Sequence, residues 1–526
     1  MSTKSDMDRQ AIISFLDNLI KPGDKRNRIV AIWTAVFLTA AHAFRWFNTG
    51  FNHDSLKVLQ YDANWQAYLG RYLAPVYLLF RGRIGAPFLI ALFAAAFLIV
   101  ANILMVRILR IKKPLHVIMF CALSATSPVL ISLFASVLTA TDLHILALMF
   151  ATLSVYVLLE CDRKWGWVLA ALFLACSLAL YQAYAQVVVT LILLRLLLEL
   201  LTEPDYGKVW KNKGRIILFF LVGAAVYFVG YVLFIKLFYG LDLSQLPSNG
   251  DYNSLDKMTR LRLADITKLF AGLYESFSKS FVRLETRLLR FRGFANLTAL
   301  ACVLYYLFRA DAPVKRKLMA AWLLLLLPFG ANFVYILTGG MVHTLMIFSY
   351  TVLYGGVLAL AEMRRSSSIV RGITVAALSF IVWGNVVFAN TLYLRKNLEA
   401  QATLSVMTRL LGTIESVEGY KPGKTSIVLV GDLNKSDIKQ VRYGYPSLHI
   451  LEDKYSFSVT YPESYADYFT TVLGYPLNFM YQGVSSRYAK MDEVLAMPSF
   501  PSPGCAKMVR DTLVVRLSED LSHWKM

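Results

Sequence analysis

Residues 87–108 read PFLIALFAAAFLIVANILMVRI, with Arg107 as the one charged side chain. A run of about 20 apolar residues is long enough to cross the hydrocarbon core of a bilayer as a helix. The whole chain is 57% hydrophobic and only 17% charged, which excludes an ordinary soluble protein of 526 residues. Ten more segments have the same character: 29–47, 115–138, 142–160, 165–182, 185–201, 215–239, 293–309, 318–337, 342–361 and 370–392. We therefore predict a mainly α, polytopic membrane protein with about 11 transmembrane helices.

Basic residues outnumber acidic ones, with a net charge of +20, but their placement argues against nucleic-acid binding. Lys and Arg occur in short runs after every second apolar segment, as in RILRIKK at 107–113. This pattern is typical of cytoplasmic loops. It predicts a cytoplasmic N-terminal amphipathic segment at 1–28 and a membrane domain at 29–393. Residues 394–526 then form a C-terminal domain on the opposite, non-cytoplasmic side of the membrane.

The loop at 48–86, before the first quoted segment, places Asp54 and Asp62 beside the membrane. From Tyr61 onward the apolar residues recur at helical spacing, which predicts an interfacial helix that faces lipid and bends at Pro75. An acid at this depth could act on a lipid-borne substrate. The alternative is that Asp54 caps a helix and Asp62 is solvated.

The loop at 240–292 is predicted to be a basic amphipathic helix, capped by Ser254 and carrying Arg260 and Arg262. Attraction to anionic lipid headgroups and a specific phosphate site explain these charges equally well.

The C-terminal 130 residues or so predict a small α/β domain. SIVLVGDL at 426–433 and DTLVVRLS at 511–518 are typical of buried strands. The domain is rich in tyrosine, for which there are two interpretations. The rings could stack on sugars of an acceptor, or they could pack in a small core, which is the commoner use.

Several polar side chains lie at the predicted outer ends of the spans. They are Asp142, His144, Tyr181, Gln182, Tyr184, Gln186 and His343. Such groups usually face protein or a wet cavity. They predict an outward-opening polar cavity, although each could be a helix cap or an interhelical hydrogen bond.

Five motifs follow one another along the chain. They are HDSLK at 53–57, Trp65, the Gly70-Arg71 pair, CSLALYQAY at 176–184 and the closing MPSFPSPG…DTLVVRLS. In these motifs the chain resembles the bacterial O-antigen glucosyltransferase II family, within the GT-C class of membrane glycosyltransferases. The resemblance covers nearly the whole chain. Where the family often has two adjacent acids, this sequence has His53-Asp54, which leaves the role of a second carboxylate open.

The resemblance implies a protein of the bacterial inner membrane with its C-terminal domain in the periplasm. It also implies an undecaprenyl-phosphate sugar donor, with glucose as the sugar, and a lipid-linked O-antigen or other surface polysaccharide as acceptor. Membrane lipids are the further partners, and no cofactor or metal is implied. Asp54 is the expected general base, with Asp62 as the second catalytic candidate. Arg71, Arg260 and Arg262 are the candidates for the donor phosphate. His53, Trp65 and the polar groups at the outer ends are expected to line the substrate cavity. A single base implies inversion at the sugar carbon.

Two other functions remain open from the sequence. A transporter or flippase of a lipid-linked sugar would also need many spans and a polar cavity, but the chain has no visible inverted repeat. A polysaccharide ligase or polymerase would consume a diphosphate-linked glycan.

Overall fold

The structure is a computed structural model of the chain. It describes residues 24–48, 50, 55–56, 63–161, 165–210, 213–242, 245–246, 266–281, 290–363, 366–436, 438, 459, 462–480 and 482–521. The helices, in chain order, are α1 (Lys25–Phe47), α2 (Ala63–Tyr68), α3 (Leu73–Arg81), α4 (Pro87–Ile108), α5 (Pro114–Ala125), α6 (Pro128–Ser136), α7 (Thr141–Glu160), α8 (Gly166–Leu178), α9 (Ala185–Thr202), α10 (Tyr206–Trp210), α11 (Gly214–Tyr239), α12 (Ile266–Phe281), α13 (Arg290–Arg309), α14 (Val314–Asn332), α15 (Val334–Leu337), α16 (Phe348–Ala361), α17 (Ser368–Glu415), α18 (Pro462–Thr471), α19 (Gln482–Tyr488) and α20 (Asp492–Leu495). The strands are β1 (Ser426–Val430), β2 (Ala506–Val509) and β3 (Thr512–Arg516).

The predicted spans are helical in the structure. Within the described residues, seven helical stretches are long and apolar enough to cross a membrane. The shorter α8 and α16 are apolar but fall below that length, so the count of eleven stays a prediction. The third predicted span is interrupted between α5 and α6. There Ser127 accepts a hydrogen bond from the Leu130 N–H, and Pro128 begins α6, where a proline needs no donor.

The helices of the membrane domain form a bundle around one large apolar core. α4 packs along α7, α7 along α8, and α9 against α14. Glycine allows some of these close approaches. A Cβ at Gly355 of α16 would stand 2.5 Å from Leu109 Cδ1 and 2.9 Å from Phe120.

The first loop differs from the single interfacial helix predicted for it. Two short helices, α2 and α3, are separated at Gly70, which has φ 82°. That left-handed conformation suits glycine and ends α2. The predicted bend at Pro75 was wrong: Pro75 lies in the first turn of α3, where its missing N–H breaks no helical bond.

The described part of the second loop includes α12, which ends at Phe281. Leu273 is buried on its inner side, and Phe277 packs edge-on against Tyr350 of α16. The predicted cap Ser254 lies outside the described residues.

The C-terminal region contains both predicted strands, which confirms this part of the prediction. β1 pairs with β3 in parallel, and β2 pairs with β3 antiparallel, giving the order β1-β3-β2. Tyr465 and Tyr468 are buried in the core beside the sheet. These two tyrosines therefore pack in the core, in agreement with the commoner of the two interpretations.

Candidate active site

Arg71 is the predicted phosphate-binding residue that the structure describes. It follows the turn at Gly70, where the Arg71 N–H donates to the Gln66 carbonyl at 2.9 Å. Two residues later, the Leu73 N–H donates to the carbonyl of Ala179 at 3.0 Å. These backbone bonds fix the turn between α2 and α3 against the end of α8.

The Arg71 guanidinium is held by neutral groups. It lies 4.8 Å from the centroid of the Tyr181 ring, and its Nη1 donates to Gln66 Oε1 at 2.7 Å. Its Nε is buried and has no partner, and no carboxylate among the described residues forms an ion pair with it. An arginine on an aromatic ring keeps its full charge and its forked donors available for a phosphate.

Two further predicted cavity residues, His144 and Tyr184, pack against the Tyr181 ring. The His144 ring lies 4.3 Å from the Tyr181 ring, and the Tyr184 ring lies 5.1 Å from it. His144 Nδ1 is 2.7 Å from the Ala140 carbonyl, which can only accept, so Nδ1 carries the hydrogen. The Tyr184 hydroxyl is buried without a partner among the described residues. The structure thus joins these side chains to Arg71 in one cluster.

Gln182 ties the same cluster to the first loop. Its Nε2 donates to the Leu69 carbonyl at 2.8 Å and to the Tyr227 hydroxyl at 3.0 Å. Because both hydrogens of its amide group are used in these bonds, Gln182 holds the backbone of the first loop at Leu69 in place.

Asp142 lies apart from this cluster, in a fully buried ion pair. Arg81 Nη1 donates to Asp142 Oδ1 at 2.8 Å, and both side chains have 0% exposure. The Tyr77 hydroxyl donates to the other oxygen, Oδ2, at 2.7 Å. Asp142 thus fastens α3 to the start of α7, and neither of its oxygens faces an open cavity.

The structure describes two further predicted site residues. Trp65 on α2 is 38% exposed. His343 is half-buried just before a short 3-10 helix at Thr344–Met346. His53, Asp54, Asp62, Arg260 and Arg262 lie outside the described residues.

Sequence reasoning missed the tyrosines of α11. The Tyr227 and Tyr231 rings stack on Tyr72 at 5.9 and 6.2 Å, and the Tyr231 hydroxyl donates to the Tyr68 carbonyl at 2.8 Å. The aromatic side of the first loop therefore packs on protein, and the prediction that it faces lipid was wrong for Tyr68 and Tyr72. The signal was present: Tyr227 and Tyr231 are four residues apart and share a helix face.

Sequence reasoning also missed Arg81 and its partner Tyr77. A charged residue at the end of an apolar helix near the membrane needs a counter-charge, and Asp142 is an acid at the predicted outer end of another span.

Comparison with known proteins gives a family for this arrangement. The family model described as Glucosyl transferase GtrII matches residues 44–360. This range includes Arg71, the aromatic side chains around Tyr181 and the Arg81–Asp142 pair. No curated protein and no solved structure matches the chain. Since the match covers more than half of the sequence, the chain belongs to the GtrII glucosyl transferase family.

Proposed function

We propose that the protein transfers a hexose, glucose in the first instance, from undecaprenyl phosphate to a lipid-linked O-antigen or other surface polysaccharide. The reaction takes place on the periplasmic side of the bacterial inner membrane, within a GT-C type membrane domain. The observation that carries the proposal is Arg71, a guanidinium stacked on Tyr181 without a carboxylate partner among the described residues. Such a group binds a phosphate without first having to leave an internal ion pair.

The chemistry needs few groups. A lipid phosphate is already a good leaving group, so a general acid is not required, in contrast to the two-carboxylate glycosidases. The acceptor hydroxyl attacks the anomeric carbon, its proton passes to a carboxylate, and the bond from the anomeric carbon to the phosphate oxygen breaks. Asp54 is our proposed base. Arg71 stabilises the charge on the departing phosphate, with Arg260 and Arg262 as further candidates. One displacement inverts the configuration of the sugar carbon.

The test is transfer of a labelled sugar from polyprenyl phosphate by the purified protein in detergent. Asp54→Asn keeps the shape of the side chain but removes the proton acceptor, so the rate should fall by at least about 100-fold while donor binding survives. Asp62→Asn should cost much less. A collapse at Asp62→Asn with normal transfer by Asp54→Asn would move the base to Asp62.

Two further measurements with the same labelled donor, one in proteoliposomes and one with a diphosphate-linked glycan, separate the alternatives. Sugar that stays on its lipid, but moves across the bilayer of a proteoliposome, would identify a flippase. Consumption of a diphosphate-linked glycan in place of the monosaccharide donor would identify a ligase or polymerase.

A further inference from the structure

The helix α17 continues from the membrane domain into the C-terminal region. It has 48 residues, which at about 1.5 Å per residue is much longer than the hydrocarbon core requires. Its later turns bury Val406, Met407, Leu410 and Ile414 in the core of the C-terminal region. One rigid element thus belongs to both parts of the protein.

The first loop contacts this helix at Gly50 and shares an apolar cluster with its later turns. Gly50 is buried against it, and a Cβ there would stand 3.2 Å from the Lys396 carbonyl oxygen and 3.4 Å from Ala400 Cβ. Leu56 has 0% exposure and lies in the hydrophobic cluster that contains Val406 and Met407. Val406 lies about ten residues, or roughly 15 Å, further along the helix than Lys396. The loop therefore reaches from α17 near the membrane domain into the core of the C-terminal region.

Hydrogen bonds to α6 also hold the chain to the membrane domain on both sides of residues 51–54. Arg45 is buried, with Nε donating to the Phe134 carbonyl at 2.8 Å and Nη1 to the Gly50 carbonyl at 2.6 Å. Ser55 Oγ donates to the Ser136 carbonyl at 3.2 Å. The backbone is thus fixed immediately before and immediately after residues 51–54, which lie outside the described residues.

Leu56 comes from the first loop, whereas the buried residues that form the core with it come from the later part of the chain. The cluster is otherwise built from the end of α17, from Ile427 and Leu429 of β1, from Leu513 of β3, and from α18 and neighbouring segments. A leucine of the first loop therefore completes the apolar core of the C-terminal region, and the core in turn holds that leucine in place.

We propose that the C-terminal region positions the first loop for sugar transfer, with Leu56 as the positioning residue. The proposal rests on the proposed function, in which the loop carries the general base. Changes in the core of the C-terminal region that release Leu56 should therefore lower kcat. A displacement of about 1 Å in a reacting group can cost about 100-fold in rate, whereas Arg71, which lies on a separate turn, keeps its phosphate contact.

The experiment compares two cavity-forming variants of the full-length protein. Leu56→Ala should lower kcat by about 10- to 100-fold and leave KM for the lipid-phosphate donor within about twofold of wild type. Leu56→Met should restore kcat, because it refills the space. Leu521→Ala is the matched control, since it removes the same side chain from a separate buried cluster of the C-terminal region that does not contain Leu56, and it should keep kcat within about threefold.

Hydrogen exchange of the loop peptides gives a readout that does not depend on activity. Leu56→Ala should raise exchange in residues 48–62 by at least about tenfold, while Leu521→Ala should raise it only in the C-terminal region. Loop exchange that stays at the wild-type rate in Leu56→Ala overturns the proposal, even if the wild-type protein transfers no sugar. An equal loss of kcat in both alanine variants overturns it as well, because general destabilisation then explains the effect.

Discussion

The buried pair of Arg81 and Asp142 leads to our most demanding prediction, which concerns Asp142→Asn. The carboxylate accepts three hydrogen bonds, from Arg81 Nη1, from the Tyr77 hydroxyl and from the Leu143 N–H. The substitution keeps the shape of the side chain but leaves the Arg81 charge with neutral acceptors only, namely the new amide oxygen and the carbonyls of Thr139 and Gly82.

The magnitude follows from the loss of one partner of a fully buried ion pair, which typically costs about 3–5 kcal/mol. We expect a loss of about 3 kcal/mol in the free energy of unfolding, at the lower end, because the amide oxygen still accepts from Arg81. The measurement is unfolding in mixed micelles titrated with a denaturing detergent and followed by tryptophan fluorescence. Replacing both partners, as Arg81→Met with Asp142→Leu, should recover most of the lost stability, because no charge then remains buried.

A different outcome would refute this reasoning. If Asp142→Asn unfolds like the wild type but loses donor binding, the carboxylate belongs to a substrate cavity, as the sequence suggested. If the double variant is no more stable than Asp142→Asn, the charge imbalance is not the cause of the loss.

Three further predictions test other parts of the protein. Arg71→Gln should raise KM for the lipid-phosphate donor by about tenfold or more, because one charge-assisted contact to the phosphate is lost. Arg309→Gln, at the far end of α13, is the control and should leave KM unchanged. Steady-state kinetics in detergent measure both. Gly355→Val should cost about 1–3 kcal/mol in the free energy of unfolding, since the new side chain overlaps Leu109, and Gly→Ala at the open position Gly372 is its control. Burial raises the pKa of Glu362, but hydrogen bonds from His116 and from two backbone N–H groups outweigh it, so the pKa lies below its ordinary value. This carboxylate should therefore stabilise the fold at pH values above its pKa in the unfolded state, and that stabilisation should be lost as the pH falls through its pKa in the folded state. Glu362→Gln should weaken this pH dependence when the free energy of unfolding is measured from pH 6 to pH 3.

Apolar length and strand composition were enough to predict most of the fold. Runs such as Pro87–Ile108 must be helical in a bilayer, because every backbone group has to be satisfied internally, and the alternation of basic loops adds an orientation. β1 and β3 were visible because a short run of branched apolar residues between turn signals favours a buried strand.

The site was harder to predict because its geometry depends on pairing across distant segments. The sequence singled out Arg71 and Tyr181 as separate candidates, but it did not predict that the guanidinium packs on the tyrosine ring. It placed Asp142 in a cavity because the partner Arg81 lies about 60 residues away and no local pattern joins them. The packing of the first loop on α11 was missed for the same reason, since an aromatic face looks alike whether it meets lipid or protein.

The burial of Leu56 beside Val406 has a consequence for biosynthesis. Roughly 350 residues separate the two positions, so at about 5–20 residues per second a ribosome needs between about 20 and 70 s to make the second after the first. During that time the nascent loop has left the ribosome but lacks the partners that will enclose its leucine. Completion of the C-terminal strands, and not insertion of the early helices, is then the event that finishes maturation of the protein.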